Sequence, residues 1–214
     1  LLPEIILTLP FPKSMRWGDL DVRFARPIRW IVALLGTQVI PFSIADVSAS
    51  NRTFGHRFLS HGQIEVLHAD DYLTKMSENY VIVDQNQRRT MIVEQIQKTA
   101  AAAGGKAEID EDLLEEVIHL VEYPTALCGR FEEKYLDLPP EAVITPMREH
   151  QRYFPVKSNH GKLLPLFITV RNGGSDHIDI FRHVYDWVLR ARLADARFFF
   201  EEDIKVSLEG RLER

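Results

Sequence analysis

The sequence predicts an α+β fold, in which antiparallel β-hairpins alternate irregularly with helices and a long C-terminal helix follows. Runs of β-branched and aromatic residues occur in pairs joined by short turn sequences, at 30–35 with 39–47 and at 151–157 with 163–171. Apolar residues at 3.6-residue spacing fill the intervals at irregular distances, which argues against a regular βαβ array.

Each element has a local reason. Residues 3–9 read as a helix. Pro27 opens the first hairpin, Gly36-Thr37-Gln38 turns it, and 48–51 reads as a polar loop after the returning strand. A short strand at 64–66, a helix over 69–77 and a strand at 80–83 follow. Asp84 is placed to cap a helix running to 103, with Ile92, Ile96, Ala100 and Ala103 on one face and Gly104-Gly105 at its end. Asp110 caps the next, whose apolar face is Leu114, Val117, Ile118 and Val121; Pro124 disfavours helix at the residue before it. A strand at 125–131 and a short helix from 140 to about 150 lead into the second hairpin, turned at Ser158-Asn159-His160-Gly161. After a linker at 172–175, a helical pattern begins near 177 and carries Phe181, Tyr185, Val188, Leu189, Leu193, Ala196, Phe199 and Phe200.

The chain has 214 residues, 45% apolar and 27% charged, the composition of a globular protein with a sizeable core. Its lone Cys128 excludes an intramolecular disulfide and a multi-cysteine zinc site, and reads as a small buried hydrophobe. No apolar stretch approaches a membrane span, so the expectation is a soluble, cytoplasmic protein with no membrane partner. Leu1 falls inside one helical pattern and Arg214 inside another, so the sequence reads as an internal piece of a longer polypeptide.

The net charge of −5 gives no global attraction to nucleic acid, but the charge is unevenly spread. Between residues 13 and 57, seven Lys and Arg face three Asp. Between 108 and 141, eleven acidic residues face Arg130 and Lys134, and from 147 to 171 the balance turns basic again. An acidic average can hide a basic face.

Three groups of residues could build such a face. A helix end delivers Arg148, His150, Gln151, Arg152 and Tyr153 into a strand, combining forks for phosphate with rings that can stack on an unpaired base. Arg52, His56 and Arg57 cluster around Gly55, whose backbone freedom suits an unusual conformation. Arg88 and Arg89 lie in the first turn after Asp84, where cations oppose the helix dipole and an anionic partner would offset the cost. The bland alternative for each is a solvated face, with Arg148 paired to a carboxylate and Tyr153 or Phe154 in the core. His56, His61 and His68 fit no standard zinc spacing. No phosphate-binding glycine loop or nucleophile elbow is present, and neither is a recognisable ATP-binding signature, so no catalytic residue is expected.

Six motifs in fixed order carry a family resemblance: Phe11-Pro12-Lys13-Ser14-Met15-Arg16-Trp17-Gly18, Phe24-Ala25-Arg26-Pro27-Ile28-Arg29-Trp30, Gly55-His56-Arg57-Phe58, Leu113-Leu114-Glu115-Glu116-Val117 with Leu120-Val121-Glu122-Tyr123-Pro124, the run from Met147 through Val156, and Ala191-Arg192-Leu193-Ala194-Asp195-Ala196-Arg197-Phe198-Phe199. Together they resemble the β subunit of the bacterial two-subunit glycyl-tRNA synthetase, in its N-terminal half. Where the family usually shows Gly-Asn-Glu before Val188-Leu189, this chain has Tyr185-Asp186-Trp187.

The resemblance implies an α2β2 ligase that charges tRNA(Gly) with glycine, using ATP with Mg through the α subunit. It implies partners in that α subunit and in tRNA(Gly), and a B3/B4-like domain over 1–175 with a helical connector over 176–214. Three functions remain open on the residues alone: tRNA contact with subunit architecture, an editing hydrolase by analogy with B3/B4 regions, or a structural spacer. The tRNA reading expects the cationic and aromatic groups to converge on folding into one platform for a polyanion.

Overall fold

The structure, a computed structural model, describes residues 1–205. The chain forms two compact units, Leu1–Val83 and Asp84–Arg214.

The first unit begins with α1 (Leu2–Leu7), and its strands are short: β1 (Ile31–Val32), β2 (Leu34–Leu35), β3 (Gln38–Val39), β4 (Ser43–Ile44), β5 (Val47–Ser50), β6 (Arg52–Phe54) and β7 (Gln63–Glu65). The expected first hairpin is real only at its tip, where β2 and β3 pair around Gly36 at φ +60°. Beyond the tip the two runs part. β5 pairs antiparallel with β4 and parallel with β1, making a three-stranded sheet in the order β1-β5-β4. The expected polar loop at 48–51 is therefore mostly strand: its serines fill β5 because two neighbours supply backbone partners, and Ser43 and Ser48 bond across the pair at 2.9 Å.

A 3-10 turn at Ala69–Asp71 leads into α2 (Tyr72–Glu78). The strand expected at 80–83 does not form. Tyr80 is left-handed, at φ +61°, while its N–H bonds to Ser77 O and that of Val81 to Met76 O. This is the paired bonding that closes a helix C-terminus, so the helix end takes the backbone groups a strand would use.

The second unit opens with α3 (Gln85–Ala102). As expected, Asp84 caps it, accepting from Asn86 N at 2.8 Å, and Ile92, Ile96 and Ala100 are fully buried. Gly104 at φ +83° ends it. β8 (Lys106–Ala107) follows, then α4 (Glu111–Leu120), capped by Asp110, which accepts from Leu113 N at 2.9 Å. β9 (Pro124–Arg130), α5 (Pro140–Thr145), a π-helical turn at Pro146–Gln151, β10 (Phe154–Lys157), β11 (Leu163–Asn172) and α6 (Ile178–Ile204) complete it.

The sheet is antiparallel throughout, in the order β8-β10-β11-β9. Helices cover both faces, which explains the unbroken apolar run of β11. Leu166 and Ile168 join Phe154 and Val156 against α3 and α4, while Leu163 and Phe167 point the other way. There they meet Val143, Met147, Leu189 and Leu193. α6 thus contributes to this unit's core over its middle turns. The burial of Leu189 and Leu193 contributes roughly 1.5–3 kcal/mol each.

Candidate nucleic-acid interface

The candidate residues divide between the two units, and the two groups differ in charge pairing. In the second unit nearly every candidate arginine has a partner. Arg148 Nη1 lies 3.1 Å from Asp110 Oδ2, and its Nε lies 3.2 Å from Glu149 Oε1. Arg152 donates from Nε to Glu116 Oε1 at 2.7 Å and also to the carbonyl of Glu149. Arg89 bridges Glu111 and Glu115, while Arg88 Nε donates to Ile118 O at 3.1 Å. Asp110, Glu111, Glu115 and Glu116 all belong to α4 or its cap, so one acidic helix neutralises the arginines of two other segments. These pairs are largely exposed and worth up to about 1 kcal/mol each, so they organise the surface more than they stabilise it.

The backbone sets this arrangement. The π-helical turn places Arg148 and His150, and Arg152 ends it at φ +59°, redirecting the chain into β10. His150 is exposed and Gln151 half-buried. Tyr153, expected as a stacking ring, is instead 3% exposed, stacked on Phe167 with centroids 4.5 Å apart and planes 11° apart. Burial pushes its hydroxyl well above the ordinary tyrosine range. The ring, just before β10, buries its apolar surface among Met147, Phe167 and Leu189. Tyr153 therefore packs in the core beneath the turn.

The first unit is arranged differently. Gly55 sits where an added Cβ would lie 2.6 Å from Asn79 O, so only glycine lets β6 run this close to the end of α2. His56 N then donates to Asn79 O at 2.9 Å. His56 is 1% exposed: Nδ1 accepts from Phe58 N at 3.3 Å, and Nε2 is buried without a partner among the described residues. The histidine shapes the turn that presents Arg57 on the surface. Arg52 lies exposed on β6 across from Glu65, whose carboxylate accepts from Asn51.

Arg57 lines an open cleft of about 870 Å³ together with Arg26, Arg29, Trp30, Phe54, Ser60 and His61. Among the described residues none of Arg26, Arg29 and Arg57 has an ion-pair partner, in contrast with the second unit. Trp30 and Phe54 are 44% and 40% exposed, with ring centroids 4.9 Å apart. Of these residues only Arg57 was singled out from the sequence as a site candidate. The missed signal was the pair Arg26 and Arg29 around Pro27: proline removes a ladder donor, and residues 27–30 join no strand, leaving both guanidiniums on an extended segment. Residues 1–83 hold as many Lys and Arg as Asp and Glu, so the whole net charge of −5 falls on 84–214.

Elsewhere, burial raises the Cys128 thiol pKa despite Arg130 and Arg182, which suits an inert packing residue. Among the described residues no three His, Cys, Asp or Glu side chains are grouped to hold a metal ion, and no helix is long and apolar enough to cross a membrane.

The class is an α+β scaffold, with a cationic, aromatic-lined cleft in the first unit and a sheet flanked by an acidic helix in the second. The chain belongs to the glycyl-tRNA synthetase beta subunit family, whose model matches residues 1–214. It is 53% identical over 212 residues to a glycine–tRNA ligase beta subunit of Desulforamulus reducens, covering 99% of this chain and 30% of the relative. The protein of that name in Clostridioides difficile is 54% identical over 214 residues, 100% of this chain and 31% of the relative. That of Bacillus subtilis is 49% identical over 217 residues, 100% of this chain and 32% of the relative. The chain thus spans about a third of the length of these relatives.

Proposed function

We propose that this chain is a tRNA-contacting and architectural part of a glycine–tRNA ligase β subunit. In the two-subunit cytoplasmic enzyme it supports ATP-dependent charging of tRNA(Gly) while the α subunit, with ATP and Mg, carries out adenylation. The observation that supports tRNA contact is the cleft of the first unit, where Arg26, Arg29 and Arg57 have no carboxylate partner among the described residues and stand beside two exposed rings. Guanidiniums without a carboxylate partner attract phosphate, because a planar fork matches its oxygens. The arginines of the second unit are held by α4 and serve architecture: they tie the π-helical turn and α3 to one acidic helix.

The test is salt-dependent binding of tRNA(Gly) to the intact two-subunit ligase. Arg57→Ala is expected to weaken binding and to reduce the slope of log affinity against log salt by about one phosphate contact. An unchanged affinity and slope in the combined Arg26→Ala, Arg29→Ala and Arg57→Ala variant would overturn the tRNA contact and leave the architectural role.

A further inference from the structure

We infer that the cleft lined by Arg26, Arg29, Arg57, Trp30 and Phe54 is a subsite for a single unpaired nucleotide of an RNA strand. The inference rests on the tRNA-contact reading above and specifies what that contact takes hold of.

The volume of about 870 Å³ lies within the range of about 300–1,000 Å³ typical of pockets for small ligands, a size that suits one nucleotide. The lining provides both halves of a nucleotide's chemistry. Three arginines line the cleft without a carboxylate partner among the described residues, each guanidinium a planar fork matched to phosphate oxygens. Trp30 and Phe54 supply exposed ring faces for a base, and their tilt of 58° keeps them from closing on each other as a parallel stack. An RNA base offers its face only where it is unpaired, because the A-form helix buries its stacked bases. An acidic peptide would satisfy the arginines but would leave both rings in water.

The rings attach at strand ends. Phe54 ends β6 and pairs with Gln63 of β7, and Trp30 immediately precedes β1. Gly62, at φ +84° with nothing within 4 Å of an added Cβ, turns the chain at the edge of the cleft and leaves it open. The ring pair, with centroids 4.9 Å apart, is already assembled before an incoming base arrives.

The experiment places a photoreactive benzoylphenylalanine at Phe54 in the intact ligase, irradiates it with bound tRNA(Gly), and maps the crosslinked nucleotide. Expected is a crosslink to one unpaired nucleotide, lost in Arg26→Ala with Arg29→Ala. In parallel, Trp30→Ala is expected to lower tRNA affinity about tenfold with an unchanged salt slope, and Trp30→Phe to restore most of it. Circular dichroism of each variant checks folding. If the arginine variants still reduce the salt slope but Trp30→Ala binds normally and no unpaired nucleotide crosslinks, the subsite is overturned while tRNA contact stands. A crosslink to the α subunit would assign the cleft to a protein partner and overturn the proposal. Unchanged binding in every variant would overturn both readings together.

Discussion

The side chain of Gln95 on α3 makes two hydrogen bonds to strand β9: Nε2 donates to Pro124 O at 3.0 Å, and Oε1 accepts from Ala126 N at 2.9 Å. Since β9 is an edge strand, its outer backbone groups have no strand partner, and one amide from the covering helix takes that place. The α3–sheet packing is thereby fixed in register as well as covered by apolar contact.

Replacing that amide tests the linkage. Gln95→Leu leaves an N–H and a carbonyl unsatisfied in a half-buried place and is expected to lose about 1–3 kcal/mol, read by urea denaturation.

Gly129 lies across from Phe167 in the β9–β11 ladder, and an added Cβ would collide with that ring and come within 2.6 Å of Asp186 Oδ1 on α6. The missing side chain lets the ring lie flat on the strand and lets α6 cross close above it. Gly129→Ala is expected to cost about 1–3 kcal/mol or more by overpacking, measured as a lower thermal midpoint.

Asp186 itself titrates abnormally. Burial raises its carboxyl pKa, and the Arg130 N–H, Arg182 and His183 only partly oppose this. A carboxyl raised in the folded state stabilises the fold fully below its unfolded value and loses that contribution as the pH rises through the folded one. Asp186→Asn keeps an oxygen for Arg130 N, which Asp186 Oδ1 accepts at 2.8 Å, and carries no charge. Its stability relative to the parent is therefore expected to increase as the pH is raised from the ordinary value of 3.8 toward neutrality. A flat difference across pH would show that solvent already relieves the buried charge.

The paired and unpaired arginines predict different responses in the ligase. Arg152→Ala, which breaks the contact to Glu116, is expected to leave tRNA affinity within about twofold, because its charge is already matched. Glu116→Gln frees the same guanidinium and is expected to tighten salt-sensitive binding. Filter binding at two salt concentrations reads both.

Local chemistry carried the legible part of the fold. Asp84 and Asp110 were readable as caps because a cap bonds to amides two or three residues along. The stripe of Ile92, Ile96 and Ala100 and the apolar run of β11 were readable because burial has a period in sequence. The misreadings at 48–51 and 80–83 have the opposite cause. β5 depends on the distant β1, and Tyr80 is taken up by the end of the preceding helix.

The candidate site divides in the same way. Family membership, the cap positions and the uneven charge lie in the order of residues alone. Which arginines are free depends on partners far along the chain: Glu116 reaches Arg152 across 36 residues and Asp110 reaches Arg148 across 38. The burial of His56 and Tyr153, and the meeting of Arg26 and Arg29 with Arg57 and Phe54, likewise require the folded backbone. Caps and periodicity act over a few residues, whereas charge neutralisation and cleft formation act through space, so only the folded chain decides them.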